Sequence, residues 1–203
     1  MSSNKPDTRT RILQAAWHLL EASNGKGVRM TDIAKRAGIT RQALYLHFAK
    51  RSELLIATTH YVDLVKGSDE RLAASRAAGC GVDRLNAFIE AWGGYLPEIH
   101  GVGKALLAMG DTDADAAVAW NNRMQDMREG CEAAIRALER DGQLSPAQTP
   151  DQATDMLWTW LSLRNWEQLT VTCGWSQAAY IKAMKSMAME IFVVPASPGE
   201  TQD

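Results

Sequence analysis

Cysteine is scarce in this chain. Cys80, Cys131 and Cys173 lie far apart, form no CxxC pair and cannot all pair with one another, so a disulfide framework is excluded and reduced thiols in a cytoplasm fit best. Six prolines and seven Phe plus Tyr leave little for a β-sandwich. No apolar run reaches a membrane-spanning length, so no membrane partner is expected. The first twenty residues lack the small-residue cleavage site of a secretory signal. No HExxH, P-loop, GxSxG or dinucleotide fingerprint is present, and His18, His47, His60 and His100 lack metal-ligand spacing. An enzyme, a metal site and a cofactor are therefore not expected.

What is present is an ordinary globular composition over 203 residues, 46% hydrophobic and 23% charged, enough for one large or two small domains with a real core. The net charge of −2 conceals an asymmetry. Residues 1–52 carry ten basic and three acidic groups, or +7, while the remainder carries 12 basic and 21 acidic, or −9. A basic head on an acidic body points to an anionic partner for the head. Of the seven tryptophans only Trp17 lies in it.

Periodicity predicts an all-α protein of about nine helices. The first runs from Thr8 to Ser23, with Ile12, Ala15, Ala16, Leu19 and Leu20 on one face and Asn24-Gly25-Lys26-Gly27 ending it. Thr31 is expected to cap a second helix reaching Ala37, Gly38 to stop it, and Thr40 to cap a third reaching His47. Further helices are predicted over 52–75, 82–95, 98–109, 113–141, 151–173 and 176–194, with a glycine-containing break at Ala78-Gly79-Cys80-Gly81. Trp120, Met124, Met127, Cys131, Ala134 and Leu138 mark one buried stripe, and Gly142 stops that helix. Residues 1–7 and 195–203 are expected to lack fixed structure.

Two short helices joined by a tight glycine turn match a helix-turn-helix. Ala34 lets the helices cross closely, Gly38 takes the positive φ, Leu44 anchors the second helix, and Ile33, Ala37 and Ile39 complete the buried side. The opposite face carries Arg41, Gln42, Tyr45 and His47, with Ala43 among them and no acidic residue. Arg suits guanine and Gln suits adenine in the major groove, whereas Tyr and His reach phosphates. Lys50 and Arg51 add charge, and the helix starts at Thr31 and Thr40 can present N–H groups to phosphate.

The run Thr31-x-Ile33-Ala34-x-x-Ala37-Gly38-Ile39-Thr40-x-x-x-Leu44-Tyr45-x-His47-Phe48, preceded by Ile12-Leu13-x-Ala15-Ala16, resembles the amino-terminal signature of TetR-type (tetracycline-repressor family) transcriptional regulators. The resemblance covers residues 8–55. It implies a homodimeric repressor that binds a palindromic double-stranded DNA operator and is released when a small molecule occupies its carboxy-terminal domain. Three departures stand out. Lys50-Arg51-Ser52 keeps a phosphate-directed cation at Arg51 but loses the family's acidic residue. Gln42 replaces a frequent small residue and is expected to individualise the operator. Gly25–Gly27 lacks the usual aromatic.

Two domains are expected, a DNA-binding head over 1–52 and a ligand-sensing, dimerising body over 53–203. The eighth predicted helix is apolar around most of its circumference (Met156, Leu157, Trp158, Trp160, Leu161, Leu163, Trp166, Leu169), as suits burial on two sides. With the ninth it supplies an expected dimer interface of Trp160, Leu163, Tyr180, Met184, Met187 and Ile191, a four-helix arrangement as in the resembled family. On helices that surround the pocket in that family lie Trp92, Tyr95, His100, Met109, Trp120, Met124, Met127 and Trp158. They suggest a small apolar or aromatic effector. The competing readings are a DNA-binding dimer without effector and a helical enzyme acting on an anionic substrate, for which no catalytic site is visible.

Overall fold

The computed structural model describes residues 6–23 and 26–194. The expectations for residues 1–5, for Asn24-Gly25 and for 195–203 lie outside the described residues. The described residues form ten α-helices: α1 (Thr8–Ser23), α2 (Met30–Ala37), α3 (Arg41–His47), α4 (Arg51–Val65), α5 (Ser68–Arg76), α6 (Gly81–Gly110), α7 (Ala114–Arg140), α8 (Pro150–Trp160), α9 (Leu163–Glu167) and α10 (Gln177–Phe192). A π-helical turn, Gln168–Thr172, continues α9. Among the described residues there is no strand, only an isolated bridge between Leu144 and Val193. None of their helices is long and apolar enough to cross a membrane. The all-α reading holds, and the longer helices are divided or joined differently in three places.

The helix predicted over 52–75 is divided at Gly67, whose φ of 65° is left-handed and closes α4. The two helices predicted over 82–95 and 98–109 are one, because the loss of an N–H at Pro97 is answered elsewhere. Proline leaves the carbonyl four residues back without its helical donor. That carbonyl, Gly93 O, accepts a 2.6 Å hydrogen bond from Gln177 Nε2. The helix predicted over 151–173 is divided at Ser162, which caps α9 by accepting from Asn165 N.

The described residues form two compact units, one from those within 1–68 with 97–125 and one from those within 69–96 with 126–194. This differs from the expected boundary at residue 52. In the first unit Ile12, Ala16 and Leu20 of α1 meet Ile33 and Ala34 of α2, Leu44 of α3, and Leu54 and Leu55 of α4. The same core takes in Val102, Ala105, Leu106 and Met109 of α6 and Ala116 and Ala119 of α7. These six residues of α6 and α7 are buried in the core that α1 to α4 build.

In the second unit Leu85, Ile89, Leu96, Cys131, Ile135, Leu138, Leu157, Tyr180 and Phe192 are buried. The start of α6 abuts the end of α7 there. Gly81 N donates to Asp141 Oδ2 at 2.7 Å and Val82 N to Gln143 Oε1 at 3.3 Å, which satisfies amides the helix leaves without partners. Of the stripe expected on α7, Met127, Cys131, Ala134 and Leu138 are buried, while Trp120 and Met124 are half-buried. Burial pushes the Cys131 thiol pKa up, which keeps that sulfur unreactive.

Candidate nucleic-acid interface

The first unit builds a turn between α2 and α3 from local chemistry. Gly38 has φ 69°, a conformation that costs other residues about 1–2 kcal/mol. Its N–H reaches Lys35 O, and Ile39 N reaches Ala34 O at 3.0 Å. Arg11 of α1 pins the turn with a 3.2 Å hydrogen bond from Nη1 to Ala37 O. Thr40 then caps α3, its hydroxyl accepting from Ala43 N at 3.1 Å. Leu44 is fully buried and Phe48 nearly so, with the Arg9 guanidinium 4.3 Å above the Phe48 ring. Ile39 is half-buried.

The expected cap at Thr31 is corrected. The helix starts two residues earlier than that cap implies, at Met30, with Arg29 as N-cap and no side-chain cap bond. Met30 is buried in the core, and drawing it inward starts the helix before the threonine. Thr31 stands exposed in the first turn instead.

With Leu44 inward, α3 turns Arg41, Gln42, Tyr45, Leu46 and His47 outward, and Lys50 follows, exposed. Ala43 is half-buried. The Arg41 guanidinium lies 5.5 Å from the Tyr45 ring centroid, a cation–π contact that limits the wandering of both side chains. A cleft of about 490 Å³ runs beside them, lined by Gly27, Val28, Arg29, Met30, Thr31, Arg41, Tyr45, Arg51 and Asp113. Arg29 was missed in the sequence because it precedes the helix whose start was placed at Thr31.

Arg51 is not directed outward as expected. Its Nη1 is 2.7 Å from Asp113 Oδ1 and 3.6 Å from Asp115 Oδ2, and its Nε donates to Val28 O at 2.9 Å. The two side chains of the closer pair are 17% and 23% exposed. Burial alone would raise the Asp113 pKa. The Arg51 hydrogen bond, the Ala116 N–H and the Arg51 charge outweigh it and hold the carboxyl below 3.8. One guanidinium thus ties the strap before α2 and the start of α4 to the α6–α7 corner. The acidic residue missing at Ser52 is supplied one position later, where Glu53 Oε2 accepts from Lys50 N at 3.3 Å.

The expected effector residues fall in both units and are described separately. In the first, Met109 is core, Trp120 packs against the same core, Met124 is half-buried, and His100 is a half-buried residue of α6. In the second, Trp92 donates its indole N–H to Leu161 O at 2.9 Å and meets Tyr95 edge-on at 6.1 Å. Met127 is buried and Trp158 half-buried, its indole nitrogen enclosed without a partner. The hydroxyl of Tyr180 is likewise enclosed without a partner, and burial raises its pKa.

Of the residues expected at a dimer interface, Tyr180 is 0% exposed and Leu163 and Met184 are buried. For Tyr180 and Leu163 this is a correction, because side chains consumed by their own unit offer a partner no surface. Met184 is buried yet borders an apolar groove of about 350 Å³, with Trp160, Asn165, Gln168, Leu169, Trp175 and Met187. Trp160 stacks on Phe192 with ring centroids 5.0 Å apart, and Ile191 is half-buried. Val171 and Trp175, which were not expected, are exposed nearby in sequence. Among the described residues no cluster of His, Cys, Asp or Glu is placed to hold a metal ion.

A glycine-turned helix pair with a capped, outward-facing, cation-bearing second helix defines a helix-turn-helix protein. Residues 12–58 match the model for bacterial regulatory proteins of the tetR family. The nucleoid occlusion factor SlmA of Marinomonas sp. (strain MWYL1) is 35% identical over 63 residues, 31% of this chain and 32% of that protein. The chain thus matches about a third of the length of that relative. The HTH-type transcriptional regulator EthR of Mycobacterium tuberculosis is 28% identical over 151 residues, 71% of this chain and 67% of its own. A transcriptional regulator from Saccharomonospora viridis, solved in complex with choline, superposes with a TM-score of 0.70 at 20% identity, covering 92% of this chain and 98% of that one. NalD of Pseudomonas aeruginosa, the secondary repressor of the MexAB-OprM multidrug efflux pump, superposes at 0.64 with 20% identity, covering 92% and 96%. Residues 12–58 thus match the helix-turn-helix region of the tetR family, and the fold of the chain is like that of these solved regulators.

Proposed function

We propose that this protein is a cytoplasmic transcriptional repressor that binds a palindromic double-stranded DNA operator as a homodimer and is released by a small apolar or aromatic effector. The observation that carries the reading is the outer face of α3. Arg41, Gln42, Tyr45 and His47 stand exposed on a capped helix that contains no carboxylate. Phosphates supply most of the affinity of such a face and base edges its selectivity. Thr31, Thr40, Ala43 and Lys50 flank it, while Arg51 acts from behind.

Two helix-turn-helix heads in a two-fold dimer read half-sites about 34 Å apart or a multiple of it. The half-buried remainder of the expected interface, Trp160 and Met187 lining the apolar groove and Ile191, favours a second copy as partner. The effector reading is supported by buried aromatics in the second unit and by the enclosed, unpartnered Trp158 and Tyr180 polar atoms, since a ligand with one polar group satisfies such atoms. The choline complex of the Saccharomonospora protein adds a small-molecule precedent within the fold.

Selection of operators from random duplex DNA tests the reading, followed by binding of Arg41→Ala and Tyr45→Ala variants. Both are expected to lose at least tenfold in operator affinity with unchanged melting temperature, a loss within the range of one bidentate or phosphate contact, about 1–3 kcal/mol. Unchanged affinity in both refutes it. Melting against a panel of apolar compounds, with choline as comparison, tests the effector, because a ligand of the native state raises the midpoint. No shift with any compound leaves a DNA-binding dimer without effector.

A further inference from the structure

Helix α3 presents two rows of outward side chains, each pair one turn apart. Arg41 and Tyr45 form one row and border the cleft beside α2, whereas Gln42 and Leu46 form the other and do not border it. Leu46 is 84% exposed, more than any other large hydrophobic residue described. Packing does not explain a leucine there, and its neighbours Arg41, His47 and Lys50 make the surface one for an anionic partner.

We propose that Leu46 is a specificity-determining residue that packs against the 5-methyl group of an operator thymine, one helical turn from the adenine-directed Gln42. The inference rests on the DNA-reading function proposed above. A leucine gains nothing from a phosphate, which is charged and hydrated. On the base edges of the major groove the thymine methyl is the distinctive apolar group, and side-chain methyls recognise it by contact. The surrounding cations hold the duplex close enough for that contact to form. Gln42 and Leu46 then read an A·T-containing half-site by complementary means, the amide by hydrogen bonds and the leucine by exclusion of water from the methyl.

Deoxyuridine in place of thymidine removes the methyl and nothing else. After operator selection with the wild-type protein, each thymine of the half-site is replaced by deoxyuridine, symmetrically in both half-sites. Affinity is then measured by fluorescence anisotropy at one salt concentration for wild type, Leu46→Ala and Leu46→Gln. Wild type is expected to lose about fourfold per half-site at one thymine, the worth of one buried methyl-sized group. Leu46→Ala loses that sensitivity, and Leu46→Gln selects a different base there. An operator indifferent to every thymine methyl, or sensitivity that persists in both variants, overturns the inference while leaving the DNA-reading function intact. Failure to enrich any sequence removes both.

Discussion

Replacing Asp113 by asparagine separates the charge of the Arg51 anchor from its geometry. Asparagine keeps the oxygen that accepts from Ala116 N at 3.2 Å, so the cap at the start of α7 survives. It loses the ionic half of the 2.7 Å contact with Arg51. A hydrogen bond to a charged group contributes about 1.5–3 kcal/mol. With Asp115 and Val28 O still engaged, Asp113→Asn is expected to cost about 1 kcal/mol, toward the surface end for a pair this exposed. Arg51→Met removes all three contacts and is expected to cost about 2 kcal/mol, because it leaves a part-buried carboxylate and carbonyl without donors. For a chain of this length each kcal/mol lowers the melting temperature by about 2–4 °C. Thermal melts of wild type, both single variants and the double variant close a cycle. The double variant is expected to melt close to Arg51→Met alone, with a coupling of about 1 kcal/mol. The DNA arm is independent. An arginine held by carboxylates contributes no phosphate contact, so Arg51→Met leaves the salt dependence of binding unchanged, whereas Lys50→Ala reduces the slope by about 0.9. Additive melts together with a reduced slope in Arg51→Met refute the anchor and return Arg51 to the phosphate.

The Asp113 pKa lies below its ordinary value of 3.8, so its stabilisation is fully present above that pH and lost as pH falls through the folded value. The melting difference between wild type and Asp113→Asn is therefore expected to shrink below about pH 3.8, which acid melts measure. Within α6, a Cβ at Gly81 would lie 2.6 Å from Leu138 N, while at Gly94 nothing lies within 4 Å. Gly81→Ala is expected to destabilise by about 1–3 kcal/mol through overpacking, and Gly94→Ala to stabilise by about 0.5–1 kcal/mol through helix propensity. Chemical denaturation of the two variants distinguishes the signs.

The parts of the fold legible in the sequence are those whose causes are local. Gly38, Thr40 and Leu44 each act within a turn of their own position, and the turn, the cap and the anchor are where their spacing puts them. Pro97 misled because the group that compensates it, Gln177, is 84 residues from Gly93 in the chain. Arg51 was misread for the same reason, since its acceptor Asp113 is 62 residues away and no periodicity links them. Leu46 was legible and overlooked. Two residues beyond the buried Leu44, it lies about 200° around the helix, and its apolar character concealed that it faces outward. On α8 to α10 apolar residues surround the helices, so pattern alone cannot say which side meets the protein's own core, as Tyr180 and Leu163 show.

The closing of the first core by residues 102–119 bears on how such a reader is made and inherited. During synthesis, α1 to α4 emerge well before the apolar residues of α6 and α7 that shelter them, so the reading head gains its full enclosure only after more than half the chain is out. It is not a portable cassette. Grafting residues 1–52 onto another protein would leave behind Leu54, Leu55 and the α6 and α7 residues that share this core, and with them Asp113, the partner of Arg51.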